Sequence, residues 1–455
     1  MAAKYLVQLT TSNKSLLRSL PARGYDVFAS TARQVNGHKF SVRGFLTRAQ
    51  IDALLPQRIE IDVRGRAEAR LHGHRHVATT HVADDMADGY LSVEQIQAAI
   101  AHAAQKYRGL ATRFTLPHRT HEGRACHGLR IGRGRGGGRG GRGRSKPAVL
   151  FVGGQHAREV VPPDMLVFLA RSLCRSYRQG TDLVLGSKRY SAATIRSIIE
   201  KVDLHIFPLA NPDGRALVLK AQKHGGDPDW RKNLRQNNGS VDKGVDLNRN
   251  YDFLWDSGLG TSSLYANEIY KGPEPCSEPE VQNVLHLIDT IRHLVCAVDV
   301  HSNGELVLHP WGHDENQSKF PALNFREEEF DGYRGKKDDA YKEFMPEADQ
   351  HVHATIGDRI RAGIAAVRGR QYTLQQGIAL YATSGSLMDY AYARHMADGR
   401  AKKVFAFVIE VGPEDARDDG FQPPFADARE IITEVAAGLI ECCLAVIKLR
   451  TARKL

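Results

Sequence analysis

The sequence predicts an α/β protein: a mixed central sheet flanked by helices on both faces, preceded by a small βαββαβ unit. Three observations carry this. Apolar runs of strand length recur along the chain: CHGLRI, AVLFVGG, VDLHIFPLA, LVCAVDV and VFAFVIEV. Segments with helical spacing lie between several of them. The N-terminal part differs, with short runs that end near Val63. Strands that are apolar throughout belong in a sheet covered on both sides.

The elements follow in order. YLVQLT reads as a strand, and SNKSLLRSL opens with a helix N-cap signal. Tyr25–Ser30 and His38–Val42 read as two further strands, LTRAQIDALL as a helix and RIEIDV as a last strand. The order is that of the ferredoxin-like split βαβ pattern, over residues 1–63. Residues 64–89 have no hydrophobic periodicity and read as a linker. His72, His74, His76 and His81 within it match no common closed zinc site. From Tyr90 to the C-terminus the pattern becomes that of the α/β domain. LSVEQIQAAIAHAAQKY, PDMLVFLARSLCRSY, SEPEVQNVLHLIDTI and ATIGDRIRAGIAAV supply its helices.

A chain of 455 residues can bury a sizeable core. Its 42% hydrophobic and 25% charged residues are ordinary for a globular protein. The net charge is +11, but Arg133, Arg135, Arg139, Arg142, Arg144 and Lys146 supply six of those charges in one glycine-rich tract, residues 132–146. The tract falls between CHGLRI and AVLFVGG and is expected to be an extended hairpin loop inserted in the domain. Arg-Gly segments also bind RNA through charge and stacking. An RNA or acidic partner held by residues 133–146 is therefore an alternative reading, although the chain shows no recognisable RNA-binding domain. No apolar stretch is long enough for a membrane span. No signal-peptide pattern opens the chain, so a cytoplasmic location is expected, or a secreted one if a leader has been removed. The six cysteines show no CxxC spacing, and Cys442 and Cys443 read as buried thiols.

Ligands of such sheets sit at the carboxyl ends of strands. AVLFVGG leads directly into QHARE, which pairs His156 with Glu159. This is the one HxxE among 20 histidines. An imidazole and a carboxylate so spaced suit two ligands of a zinc ion, although a capping Glu beside a loop histidine would leave the same pair. LVCAVDV ends in His301, a candidate third ligand. Three protein ligands with one open position describe a catalytic metal site. Glu410 interrupts the apolar run VFAFVIEV. Such a carboxylate is costly to bury, and it reads either as a general base or as a solvated strand end. Arg231, Asn248 and Arg249 cluster in a stretch with little periodicity. An arginine fork there would read a carboxylate.

The pieces GGQHARE, NPDGR, DWRKNLR, GVDLNRNYDF, YKGPEPCSEPE, DVHSNGELVLHPWG, LYATSGSLMDYAY and FVIEVGPE together make residues 90–455 resemble the zinc carboxypeptidase family typified by pancreatic carboxypeptidases A and B. The resemblance implies one zinc per chain, held by His156, Glu159 and His301, with Asp246 behind the first histidine. It implies that Glu410 activates the metal-bound water and that Arg231 steadies the oxyanion. Asn248 and Arg249 would clamp the substrate's terminal carboxylate, Tyr381 would close over it, and Arg158 would be a further binding arginine. Met388 matches the pocket-floor position, which implies apolar or aromatic C-terminal residues, unless it merely packs the core. The expected activity is release of C-terminal amino acids from peptides and proteins by a monomer. A peptidase of the same fold acting on cell-wall or modified peptides is the neighbouring alternative. The N-terminal unit resembles the family's pro-domain in element order and is expected to be either inhibitory or accessory. Residues 319–347 form a long charged insertion expected to border the cleft as a solvated face.

Overall fold

The computed structural model describes residues 4–35, 38–66, 89–133, 146–336, 339–379, 381–413 and 420–452. The four linker histidines and most of the Arg-Gly tract lie outside the described residues.

The N-terminal unit has the expected order: β1 (Lys4–Thr11), α1 (Lys14–Ser19), β2 (Asp26–Val35), β3 (Lys39–Thr47), α2 (Arg48–Leu54) and β4 (Glu60–Arg66). The four strands form one antiparallel sheet in the order β2-β3-β1-β4. Thr47 and Gln50 close a capping box that starts α2 where β3 ends. Val7, Leu9, Leu17, Val42, Leu46, Ile51 and Leu54 fill the core of the unit. The strands outrun their sequence reading because pairing extends past the apolar positions that mark them.

The second domain opens with α3 (Val93–Lys106), begun by a capping box of Ser92 and Gln95. Next come β5 (Ala111–Thr115), β6 (His127–Ile131), β7 (Ala148–Gly153) and α4 (Val161–Gln179). A small hairpin follows, β8 (Leu183–Leu185) with β9 (Lys188–Tyr190), then α5 (Ala192–Lys201), β10 (Asp203–Phe207), α6 (Pro212–His224) and α7 (Pro279–Thr290). Then come β11 (Leu294–Ser302), β12 (Leu306–His309) and the short pair β13 (Asn316–Gln317) and β14 (Glu343–Phe344). The chain closes with α8 (Glu347–Arg368), β15 (Thr373–Gln376), α9 (Leu387–Ala397), β16 (Phe405–Val411) and α10 (Phe425–Thr451).

Eight strands form the mixed central sheet, ordered β15-β12-β16-β11-β7-β10-β6-β5, and helices flank it. The middle four, β16, β11, β7 and β10, are parallel. Every residue of β7 and β10 is buried, which is why both read as unbroken apolar runs. Cys442 and Cys443 lie buried in α10, and the cysteines are free thiols.

Two expectations are corrected. β6 and β7 are not hairpin partners, because β10 lies between them in the sheet. Ile131 and Val149 both sit opposite Leu204, so the Arg-Gly tract links two strands across the start of β10. A hairpin is the simplest join of consecutive strands, but β7 gains two parallel neighbours by moving one place inward. The charged insertion is more than a solvated face. Arg334 is buried and donates to the carbonyls of Asn324 and Glu327. Glu343 is fully buried and accepts from Tyr341 Oη, with His313 Nε2 2.9 Å away.

Candidate active site

The parallel strands bring the site together at their carboxyl ends. β11 and β16 run in register, with His301 opposite Glu410, and Val300 lies opposite Gly153 at the end of β7. The chain turns sharply after β7 at Gly154, whose φ is +67°. A Cβ there would lie 2.9 Å from Pro163 Cγ and 3.0 Å from Leu209 Cδ1. Glycine is therefore required at the turn that swings His156 and Glu159 back over the sheet.

His156, Glu159 and His301 are buried and offer ligand atoms within 4.8 Å of one another. His156 Nδ1 is 2.7 Å from Glu159 Oε1. His301 Nδ1 is 2.9 Å from Glu159 Oε2 and 3.0 Å from His156 Nδ1. Two imidazole nitrogens face each other at hydrogen-bond distance, an arrangement that needs a proton or a cation between them. The opposite nitrogens are both anchored by carboxylates. His156 Nε2 is 3.0 Å from Asp246 Oδ1, and His301 Nε2 is 2.6 Å from Asp299 Oδ2. Such partners fix which nitrogen is left to bind a metal. Bonds near 2.0–2.1 Å would place tetrahedral zinc ligands about 3.3 Å apart, slightly wider than this trio. The donor set therefore fits zinc.

Asp299 is absent from the sequence reading. Its signal was present, because Asp299 and His301 stand two apart in β11 and so share a face. Gln155 Nε2 donates to the same Asp299 oxygen, and Tyr251 Oη donates to Gln155 Oε1.

Arg231 donates from Nε to Asp246 Oδ2 at 2.9 Å and turns Nη1 towards Glu159 Oε1, 4.0 Å away. Asn248 Oδ1 accepts from Leu387 N at the start of α9. Arg249 donates to the carbonyls of Gly260 and Asn248. These three residues line one cleft with His156, Glu159, Arg158, Tyr381 and Glu410. Met388 stands apart in the main core, its Cε against Gly377. Burial pushes the Glu410 carboxyl up to about 8. His301 and Arg231 oppose the rise, while Glu159 and Asp299 add to it. A divalent cation at the trio would draw it back down.

The N-terminal unit roofs this cleft. Arg18, Pro21, Tyr25, Asp26, Val27 and Phe28 line it from above. Arg158 donates from both Nη atoms to Asp26, at 2.7 and 3.0 Å. Its guanidinium lies against the rings of Phe28 and Phe421, 5.3 and 4.5 Å from their centroids. Tyr381 joins the apolar core of the unit.

A buried His-Glu-His trio at the strand ends of a mixed α/β sheet suits the class of catalytic zinc sites with three protein ligands and one open position. A family model described as zinc carboxypeptidase matches residues 96–438, and the chain belongs to that family. Carboxypeptidase A4 of Mus musculus is 28% identical over 292 residues, which is 64% of this chain and 56% of that protein. Metallocarboxypeptidase A of Arthroderma otae is 34% identical over 200 residues, 43% of this chain and 41% of the relative. The chain thus spans about half the length of the curated relatives it matches. Among solved structures, a carboxypeptidase A from Helicoverpa armigera superposes with a TM-score of 0.71 at 19% identity, covering 98% of both chains. Thrombin activatable fibrinolysis inhibitor superposes at 0.67 and 20% identity, covering 98% of this chain and 100% of that one. Both share the fold.

Proposed function

We propose that the chain is a zinc-dependent carboxypeptidase that releases C-terminal amino acids from peptides. The convergence of His156, Glu159 and His301, with both rear nitrogens held by carboxylates and Glu410 in the adjoining register position, supports this above all else. Zinc bound by the trio would supply Lewis acidity towards the scissile carbonyl and acidify a water. Glu410 takes the proton of that water and returns it to the leaving amine. Arg231, held by Asp246, presents Nη1 to the developing oxyanion. Arg249 and Asn248 receive the terminal carboxylate and make the reaction exo-acting. Tyr381 closes over that end. Met388 packs in the core and does not line the cleft, so the lean towards apolar or aromatic C-terminal residues rests only on the lack of an acidic side chain at its position. A peptide series ending in Phe, Leu, Lys and Glu, run with and without chelator, tests this. Fastest release of Lys overturns the preference, and chelator-resistant release overturns the metal chemistry.

The N-terminal unit acts on this reading as a cap on the site. Asp26 occupies the Arg158 fork as a substrate carboxylate would, and Tyr381 is held within the apolar core of the unit. Limited trypsin digestion that separates the two domains should raise turnover. Equal turnover before and after digestion makes the unit an accessory domain instead.

A further inference from the structure

A second cluster with metal-ligand chemistry lies outside the cleft. His121 comes from the loop between β5 and β6, and Glu278 and Glu280 from the start of α7. Their ligand atoms lie within 4.8 Å of one another. His121 Nε2 is 2.8 Å from Glu278 Oε2. Asn233 Nδ2 donates to that same oxygen at 2.7 Å and to Glu280 Oε2 at 3.0 Å. Its own Oδ1 is committed to Arg235 N and Val245 N, so the amide has one orientation. Arg235 Nη1 and Ser277 Oγ hold the other Glu278 oxygen, Oε1. The two carboxylates are thus aligned side by side before anything binds.

A separate observation concerns Glu280 alone. It is 1% exposed, and its Oε1 is buried with no hydrogen-bond donor among the described residues. A carboxylate oxygen buried without a donor is stabilised when a cation meets it. Two carboxylates face the single guanidinium of Arg235, and with a neutral imidazole this leaves room for positive charge. His121 is part-exposed, which gives an entry path from solvent and leaves a coordination position for water.

We propose that His121, Glu278 and Glu280 bind a second divalent transition-metal ion, zinc by the mixture of imidazole and carboxylate ligands. The site braces the substrate-binding stretch. Asn233 stands two residues beyond Arg231, and Asn250, next to Arg249, accepts from Glu278 N through Oδ1. An ion there joins the β5–β6 loop, the Arg231–Arg249 stretch and α7 at one point.

The test counts zinc. The full chain is stripped with a chelator, dialysed against zinc, and its bound metal measured beside that of His121→Ala and Glu280→Gln. The second variant keeps the side-chain volume. Both variants should hold one zinc fewer per chain than the parent. The same difference should persist in a His156→Ala background, because the two sites share no residue. Equal zinc in parent and variants overturns the proposal, whatever the state of the catalytic site.

Discussion

Two carboxylates carry the sharpest expectations for single residues. Glu410→Gln removes the carboxylate proposed as proton acceptor while leaving the trio intact. Bound zinc should stay at the parental level and turnover should fall about 100- to 10,000-fold. Metal analysis beside peptide hydrolysis reads both, and near-parental turnover rejects the assignment. Asp299→Asn takes the carboxylate from His301 Nε2 without changing shape. Zinc affinity should drop roughly 10- to 100-fold, as for other anchoring partners of metal-bound histidines. Competition with a chromogenic chelator measures it. Asp246→Asn disturbs more, because Arg231 leans on the same side chain.

Among the elements, the turn after β7 matters most. β7 is a wholly buried strand whose last task is to reverse direction within a few residues. Gly154→Ala puts a Cβ into Pro163 and Leu209 at a left-handed backbone position. It should cost about 1–3 kcal/mol. The unfolding midpoint should fall, and zinc should bind more weakly because His156 and Glu159 follow this turn. An unchanged midpoint would mean that the turn relaxes freely. α9 contributes through its first turn, where Leu387 N holds Asn248 in place. β11 and β16 contribute through register, since a one-residue slip would separate His301 from Glu410.

For the whole molecule, the question is how the two domains hold together. The contacts are apolar, at Phe28 and Phe45 with Phe421, and ionic, at Asp26 with Arg158 and at Lys4 with Glu268. Burial works against the Asp26 carboxylate, but Arg158, Lys4 and more distantly Arg231 outweigh it and hold it below its usual range. A depressed carboxylate contributes to docking fully above its free value, near about 3.9. That contribution is lost as pH falls through the lower docked value. Acid should therefore loosen the cap, seen as faster proteolysis or hydrogen exchange of residues 4–66. In Asp26→Asn the cap should be looser already at neutral pH and lack this acid step. A parental acid profile in that variant would remove Asp26 from the account.

Much of this was legible before any fold was known. The parallel strands announced themselves because burial on both faces leaves no polar position to interrupt them. His156, Glu159, His301 and Glu410 stood out because each marks the end of, or interrupts, such a run. Pairing of strands is less legible: β6 and β7 follow each other in sequence as hairpin strands do, yet β10 lies between them in the sheet.

The amino-acid sequence by itself determined the family and the order of elements, and it singled out His156, Glu159 and His301, which the fold brings together, because these follow from local periodicity and short motifs. Only the tertiary structure decided that Asp26 fills the Arg158 fork, that Tyr381 is held by the N-terminal unit, and that His121 meets Glu278 and Glu280. Those partners lie from roughly one hundred to several hundred residues apart, and nothing in the local sequence of either side encodes the other. Their meeting depends on how the sheets, loops and helices pack.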